Sequence, residues 1–423
     1  MRKLAVALIC VVALVHLSCS DASGPGNQAN DRITITNNAG ALASRVTYMN
    51  DSIPIDSAGV GYPSAPAPLA SAPIGRSSAA RQAGGFNLSL KAEVAPPSIG
   101  GQTLQATSVS IAGNLAVVSY NMVGNPYLGA VDVIDITNKN QPVLRSEALF
   151  QNTDVSAVTT SGVNVYLAEA TGDTGFASPG VFEVVKLVGN QLVLTGNTRT
   201  ELSSFTATSV AFGTRVYATS GDAGSLFMLN PVTFAVTSSI PLADARWVAV
   251  GGGQVAVVQG VPGRLAVYNE SNMSVVGSWP FKGADISQSK SQAELVGGKA
   301  FIAAGDSGVQ VLNPSTGAFL GQVPRPNPDS LGLSPSVVVT NAVAIDQDLM
   351  FISNGEAGVY LAQGSQAFST SGTGAQTITM RGKLRFGNLQ SVNHVAYSAG
   401  GPGNPGLLII AAGLGGLKIV QVN

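Results

Sequence analysis

Beyond its apolar N-terminal stretch the chain carries a single histidine, His394. It is the one side chain there that can exchange a proton near neutral pH without a large perturbation. A hydroxyl nucleophile needs such a base within hydrogen-bond reach. Ser307 is the natural candidate, set beside Asp306 between Gly305 and Gly308. Yet the same slot reads Gly221-Asp222-Ala223-Gly224 and Gly355-Glu356-Ala357-Gly358 elsewhere in the chain, with no nucleophile. The tetrad is therefore expected to be a hairpin turn, in which glycine supplies positive φ and the acid accepts from nearby amides. Gly413-Leu414-Gly415-Gly416 is expected to be another turn, since no helix follows it to make a phosphate loop. Metal chemistry finds as little support. A lone histidine with no cysteine in the body cannot make a zinc site without several carboxylates. Asp132 and Asp135, three apart on a strand, point to opposite faces. No loop has EF-hand spacing and no Cys-x-x-Cys-His haem site occurs. No cofactor is expected, with calcium in a central channel as the one alternative.

What positions these turns is a repeat. Gly129-Ala130-Val131-Asp132-Val133-Ile134-Asp135-Ile136-Thr137-Asn138, followed by Gln141-Pro142-Val143-Leu144, returns in degraded form with versions opening at Gly224, Gly263 and Gly308. Each is an alternating strand that leaves a glycine and runs into an Asn/Pro turn. The period, about 40–50 residues, is that of a propeller blade. Six repeats are expected at about 103–154, 155–205, 206–244, 245–286, 287–338 and 339–390, and a seventh from Ser391 that stops after its third strand. Phe86–Val94 alternates apolar and polar residues and belongs to no repeat. It has the right length to supply the outer strand that the seventh repeat lacks, which would leave no unpaired edge at the junction. The expected fold class is all-β, a seven-bladed β-propeller whose last blade is completed by the N-terminal strand 86–94.

Composition agrees with a turn-rich, well-buried chain. There are 50 glycines in 423 residues, against an average of ~7%. Charged residues make up 11%, against ~25% ordinarily. Without Arg2 and Lys3 of the leader, 20 basic residues face 23 acidic ones, a net charge of −3. Such a balance argues against a dedicated nucleic-acid binder. The two cysteines, Cys10 and Cys19, both lie in the leader region, so neither disulfides nor thiolate sites are expected in the body.

In a closed ring the first strand of each blade lines the axial channel. Asn393, His394, Asn341, Gln292, Arg246, Trp247 and Thr208 stand at comparable places where those strands begin. They are expected to form a polar ring at one channel mouth, a seat for a small polar ligand.

Ala130 to Pro142 resembles the LVIVD-repeat family of bacterial β-propeller proteins. Asp135, Asn138 and Pro142 fall where that family has its strand-ending Asp and its Asn/Pro turn. Asn393-His394-Val395-Ala396 and Asn341-Ala342-Val343-Ala344 resemble the family's first blade strand, and the likeness spans about 86–423. It implies an extracytoplasmic propeller, often lipid-anchored, with no assigned chemistry. Gly305 to Gly308 resembles the nucleophile loop of trypsin-like proteases, against which the turn reading above stands. At the other end, Met1-Arg2-Lys3 and the apolar run Leu4–Leu17 form a signal-peptide pattern too short to span a bilayer. Leu17-Ser18-Cys19 resembles a bacterial lipobox, with His16 where that motif prefers Leu. The resemblance implies that Cys19 is diacylglycerated and becomes the new N-terminus.

The expected organisation is a signal peptide at 1–18, a lipid-anchored flexible tether at 19–85 and the propeller at 86–423. The tether is rich in Pro, Ala, Ser and Gly over 54–84, with a brief strand at Asp31–Thr36. The expected function is a non-enzymatic cell-envelope lipoprotein, a monomer whose propeller is a binding scaffold for protein or glycan. It would be held at the outer membrane through its N-terminal lipid. The alternative is a propeller lyase or hydrolase working at the channel mouth, an expectation that rests on fold analogy.

Overall fold

The computed structural model describes residues 25–53, 88–287, 289–372, 374–386, 390–401 and 405–422. The chain is a seven-bladed β-propeller. Each blade is an antiparallel meander, as in the first: Gln105–Ala112, Leu115–Asn121, Leu128–Asp135 and Val143–Gln151. The innermost strands of the next six blades are Thr153–Thr160, Ala207–Phe212, Ala245–Gly251, Ala293–Val296, Ala342–Asp346 and His394–Ser398. Each innermost strand touches the next, and the seventh touches the first, so the ring is closed.

The burial pattern follows from blades packing face to face. A middle strand is covered on both faces, so it reads as a continuous apolar run rather than an alternation. Leu349–Ser353 and Gly406–Ala411 are buried at every residue. An outer strand such as Val236–Pro241 is almost wholly exposed and has Thr and Ser at its centre.

The chain's front end closes the ring. We label its elements β1 (Gln28–Ala29), β2 (Ile33–Thr36), α1 (Ala39–Ala43), β3 (Val46–Ser52) and β4 (Leu88–Val94). β4 pairs antiparallel with the third strand of blade seven, Leu417 opposite Val94 and Val422 opposite Leu88. Lys418 Nζ adds an ion pair with Glu93 Oε1 at 2.6 Å. The strand expected at 86–94 therefore sits where the missing edge requires it; Phe86 and Asn87 lie outside the described residues.

The expected flexible tether at 19–85 needs correction over residues 25–53, which are folded onto the ring. β2 extends the outer strand of blade one, with Ile33 opposite Phe150 and Thr36 opposite Glu147, and β1 pairs with β2. β3 pairs with β4 and so extends blade seven. Blade one thus carries six strands and blade seven five. The segment is polar on average, but Ile33, Ile35 and Leu42 are fully buried, and existing sheet edges supply partners for its backbone. A mean composition hides three residues that matter. Cys19, the signal region and residues 54–87 lie outside the described residues.

Arg45 locks this strap. Its Nη1 and Nη2 donate to the two oxygens of Asp132 at 2.9 and 2.7 Å, Nη1 also meets Glu147, and Nε and Nη2 reach the Ala95 carbonyl. Asp132 is wholly buried. A buried carboxylate stripped of its partner is far costlier than a pair replaced together. Arg45→Ala is therefore expected to lower the unfolding free energy by about 3–5 kcal/mol in urea titration. The Arg45→Met/Asp132→Asn double variant should recover most of that loss; an equal loss in both would mean the pair is not the lock.

Candidate functional site

The turns between second and third strands and the connections between blades meet at one face of the ring. The Gly305–Gly308 tetrad is one of these turns. Gly305 and Gly308 have φ of 58° and 75°, and a Cβ on Gly308 would stand 2.0 Å from the Val323 carbonyl oxygen. Asp306 Oδ1 accepts from the Asp285 amide at 3.1 Å, and the Ser307 carbonyl accepts from the side chains of Gln310 and Gln322. The acid and serine organise backbone, as the turn reading requires.

The residues expected as a polar ring are divided by the structure. Most of them tie one blade to the next. Thr208 Oγ1 donates to the Ala245 carbonyl at 2.7 Å, linking blades three and four. Arg246 Nη1 donates to the Ile286 carbonyl at 2.9 Å, while its Nε and Nη2 hold both oxygens of Asp244. Gln292 Oε1 accepts from the Val343 amide at 2.8 Å, linking blades five and six. Asn393 Nδ2 donates to the Ala106 carbonyl at 2.9 Å, closing blade seven on blade one. Thr107 repeats the device at the Val155 carbonyl of blade two, 3.1 Å away. The position is polar because adjacent innermost strands splay apart there and leave backbone groups to be satisfied.

His394 and Trp247 do something else. They come from blades seven and four, across the ring, and their rings stack with centroids 5.4 Å apart. His394 is 4% exposed, and neither ring nitrogen has a hydrogen-bond partner among the described residues. Burial, helped by the positive charge of Lys290, pushes its pKa down to about 3. The expectation of a neutral-pH proton exchanger at the channel mouth is thus corrected: the imidazole is an uncharged half of a plug.

Above the plug lie two adjoining cavities of about 670 and 760 Å³. Thr208 and Arg246 line the first, with Asp222 and Asp244. Asn341 and Asn393 line the second, with Gln105, Asn121, Asn125, Tyr127 and Asp154. Ser156, Phe205, Thr206 and Lys290 border both. Gln292, His394 and Trp247 border neither. Asp154 Oδ1 accepts from the Leu128 amide at 2.9 Å; burial raises its pKa to about 7, against the lowering effect of that bond and one from Met122. Lys290 Nζ donates to the Ser156 carbonyl at 2.8 Å, reaching from the connection before blade five to the innermost strand of blade two. Burial lowers its pKa to about 8. Asn341 Oδ1 accepts from the Lys290 amide at 3.3 Å, which fixes that connection over the mouth.

Lys290, Asp154, Asn121 and Tyr127 were not singled out by sequence. Lys290 alone had a local signal, a cation two residues before Gln292 in a run of Ser and Gln. Among the described residues no three His, Cys, Asp or Glu side chains come together as a metal would need.

The architecture defines a closed seven-bladed propeller with a plugged axis and a polar vestibule. No family model matches the chain, and no curated protein matches it. Among solved structures it is similar to BamB from Moraxella catarrhalis, at 12% identity over 89% of this chain and 99% of that one, with a TM-score of 0.47. It is also similar to the computationally designed protein Ika8, at 12% identity over 79% and 93%, with a TM-score of 0.44. At such identity a likeness concerns fold alone; blade number and closure rest on the strand pairing above.

The plug has a pH signature. Folding depresses the His394 pKa from 6.5 to about 3, so the unfolded chain binds the extra proton between those values. Its contribution to stability is full above pH 6.5 and is lost progressively as pH falls toward 3. His394→Gln is expected to flatten the fall of unfolding free energy between pH 6 and 4 by up to ~1.4 kcal/mol per pH unit. An unchanged slope in denaturant titrations across that range would contradict a buried neutral imidazole.

Proposed function

We propose that this propeller is a non-enzymatic binding protein of the bacterial cell envelope, and that it takes a hydroxyl-rich glycan in the vestibule. The observation that carries the proposal is the lining of the larger lobe. Four carboxamides, Gln105, Asn121, Asn125 and Asn341, stand there with the rings of Tyr127 and Phe205, beside Asn393, which is held by the Ala106 carbonyl. A carboxamide presents a donor and an acceptor side by side, which suits paired sugar hydroxyls. An aromatic face suits the C–H side of a sugar ring. Gln105 Nε2 donates to Asn121 Oδ1 at 3.0 Å, so the Asn121 amide nitrogen is not the group spent in that bond. Phe205 is 59% exposed and borders both lobes, so its ring face is open to the vestibule.

The charges of the smaller lobe favour binding over chemistry, because Arg246 is spent on Asp244. One observation supports the rival lyase or hydrolase. Asp154, held near pH 7, and Lys290, held near 8, border one lobe and match the needs of an acid–base pair. Turnover of a bound glycan that is lost in Asp154→Asn would establish that reading.

The repeats are proposed to be of the LVIVD type, and the protein to act as a monomer without cofactor. Lipidation of Cys19 is proposed to hold it at the outer membrane. Gln28 of β1 is nine residues from Cys19, a span of at most about 30 Å. The propeller would therefore ride close to the bilayer rather than on a long tether. Cys19→Ser is expected to move the protein from the membrane fraction to the soluble fraction; unchanged fractionation would sink the anchor. Glycan-array binding by the wild type, weakened about tenfold by Asn121→Ala or Tyr127→Ala, is expected of the vestibule, ~1.4 kcal/mol each. Array binding indifferent to both substitutions would place the ligand elsewhere.

A further inference from the structure

Lys290 is the one vestibule cation whose charge is not already answered. Arg246 is held by both oxygens of Asp244. Lys290 Nζ has a single hydrogen-bond partner among the described residues, the neutral Ser156 carbonyl, and no carboxylate within ion-pair distance. It borders both lobes. A cation partly withdrawn from water is costly unless it is paired, and two of the three donors of this ammonium have no protein partner among the described residues. Its surroundings limit which anion. Asp154, Asp222 and Asp244 share the same walls, so the vestibule has little net positive charge to offer. A dianionic phosphate would bring a second negative charge that no further vestibule cation answers, whereas a single carboxylate needs one ammonium and the neutral donors that Asn121 and Asn341 supply.

We infer that the glycan proposed for this vestibule is an acidic one, bearing a carboxylate that seats on the Lys290 ammonium between the two lobes. The inference deepens the glycan reading and rests on it. The carboxylate accepts from Lys290 Nζ while the sugar hydroxyls lie along the carboxamides of the larger lobe. Lys290 thereby sets specificity, discriminating an acidic sugar from its neutral counterpart.

The test is a glycan array in which uronate- and sialate-bearing oligosaccharides are printed beside their carboxyl-reduced forms, with sulfated and phosphorylated glycans as further arms. Wild type, Lys290→Met and Lys290→Arg are compared, together with their melting temperatures. Removing a desolvated charge should leave the Lys290→Met melting temperature unchanged or higher, so a lost signal is not lost folding. Binding to carboxylated members at least tenfold over their reduced forms, abolished in Lys290→Met and partly kept in Lys290→Arg, is the expected result. Equal binding to carboxylated and reduced forms, or indifference to Lys290→Met, overturns the acidic specificity and leaves the glycan reading standing. Preference for sulfated or phosphorylated members overturns the carboxylate. Binding to no glycan at all removes the reading beneath, and this inference with it.

Discussion

A ring of sheets is only as stable as the joint where the chain's two ends meet. Here the seventh sheet obtains three strands from the C-terminal end and must take its fourth from the front. β4 fills that edge against Leu417–Val422. Without it, the backbone donors and acceptors along Leu417–Val422 would be bare, and the apolar faces of Ala92, Val94, Leu417 and Ile419 would lose one another. Everything at the mouth depends on this joint, because Asn393 and His394 reach their places only when blade seven stands against blade one.

The joint is strapped as well as filled. From β3 on the rim of blade seven the chain passes back through α1 to β2 on the rim of blade one, so both sides of the seam are pinned by one continuous segment. Arg45 fastens the middle, on Asp132 and Glu147. Arg32 fastens the far end, its Nη2 2.6 Å from Glu183 Oε1 of blade two. Around that contact lies a buried polar knot. Glu183 and Glu169 are wholly buried, and Arg199 pairs with Asp173 while its guanidinium lies over Phe176. Burial, reinforced by the charge of Glu183, holds the Glu169 carboxyl well above its ordinary range. Blades one and two are joined by charge as well as by the Thr107 hydrogen bond, and single hydrogen bonds of that kind recur at other seams.

Those single bonds explain why the vestibule is shaped as it is. Near the start of the innermost strands of blades one, three, five and seven a polar side chain reaches to the backbone of the next blade, as Thr107, Thr208, Gln292 and Asn393 do. Residues spent in this way build the wall and are not free to grip a ligand. The groups left over stand one layer higher, on the connections and turns: Asn121, Asn125, Tyr127, Phe205 and Lys290. Beneath them the His394–Trp247 stack shuts the axis, so the site is a bowl with a floor and not a pore.

Much of the architecture was legible in the residues. The strand after Gly129, the glycine turns at 221, 305 and 355, and the spare alternation at Phe86–Val94 all reflect local rules: period-two burial, positive φ and turn chemistry. Of the strap only the brief strand at Asp31–Thr36 was legible, because its three buried apolar residues are diluted in a polar, Gly-containing stretch and its partners are sheet edges distant in the chain, Phe150 for Ile33 and Val94 for Val46. The polar ring shows the same limit of local pattern. Its positions recur where expected, yet the recurrence serves blade seams. By itself the sequence determined the number of blades, their approximate extents and the strand that completes the last, since these follow from neighbours in the chain. Only the tertiary structure decided which polar groups are spent and which remain open, because each hydrogen-bond partner is supplied by another blade, and no local pattern records what stands across a seam or across the axis.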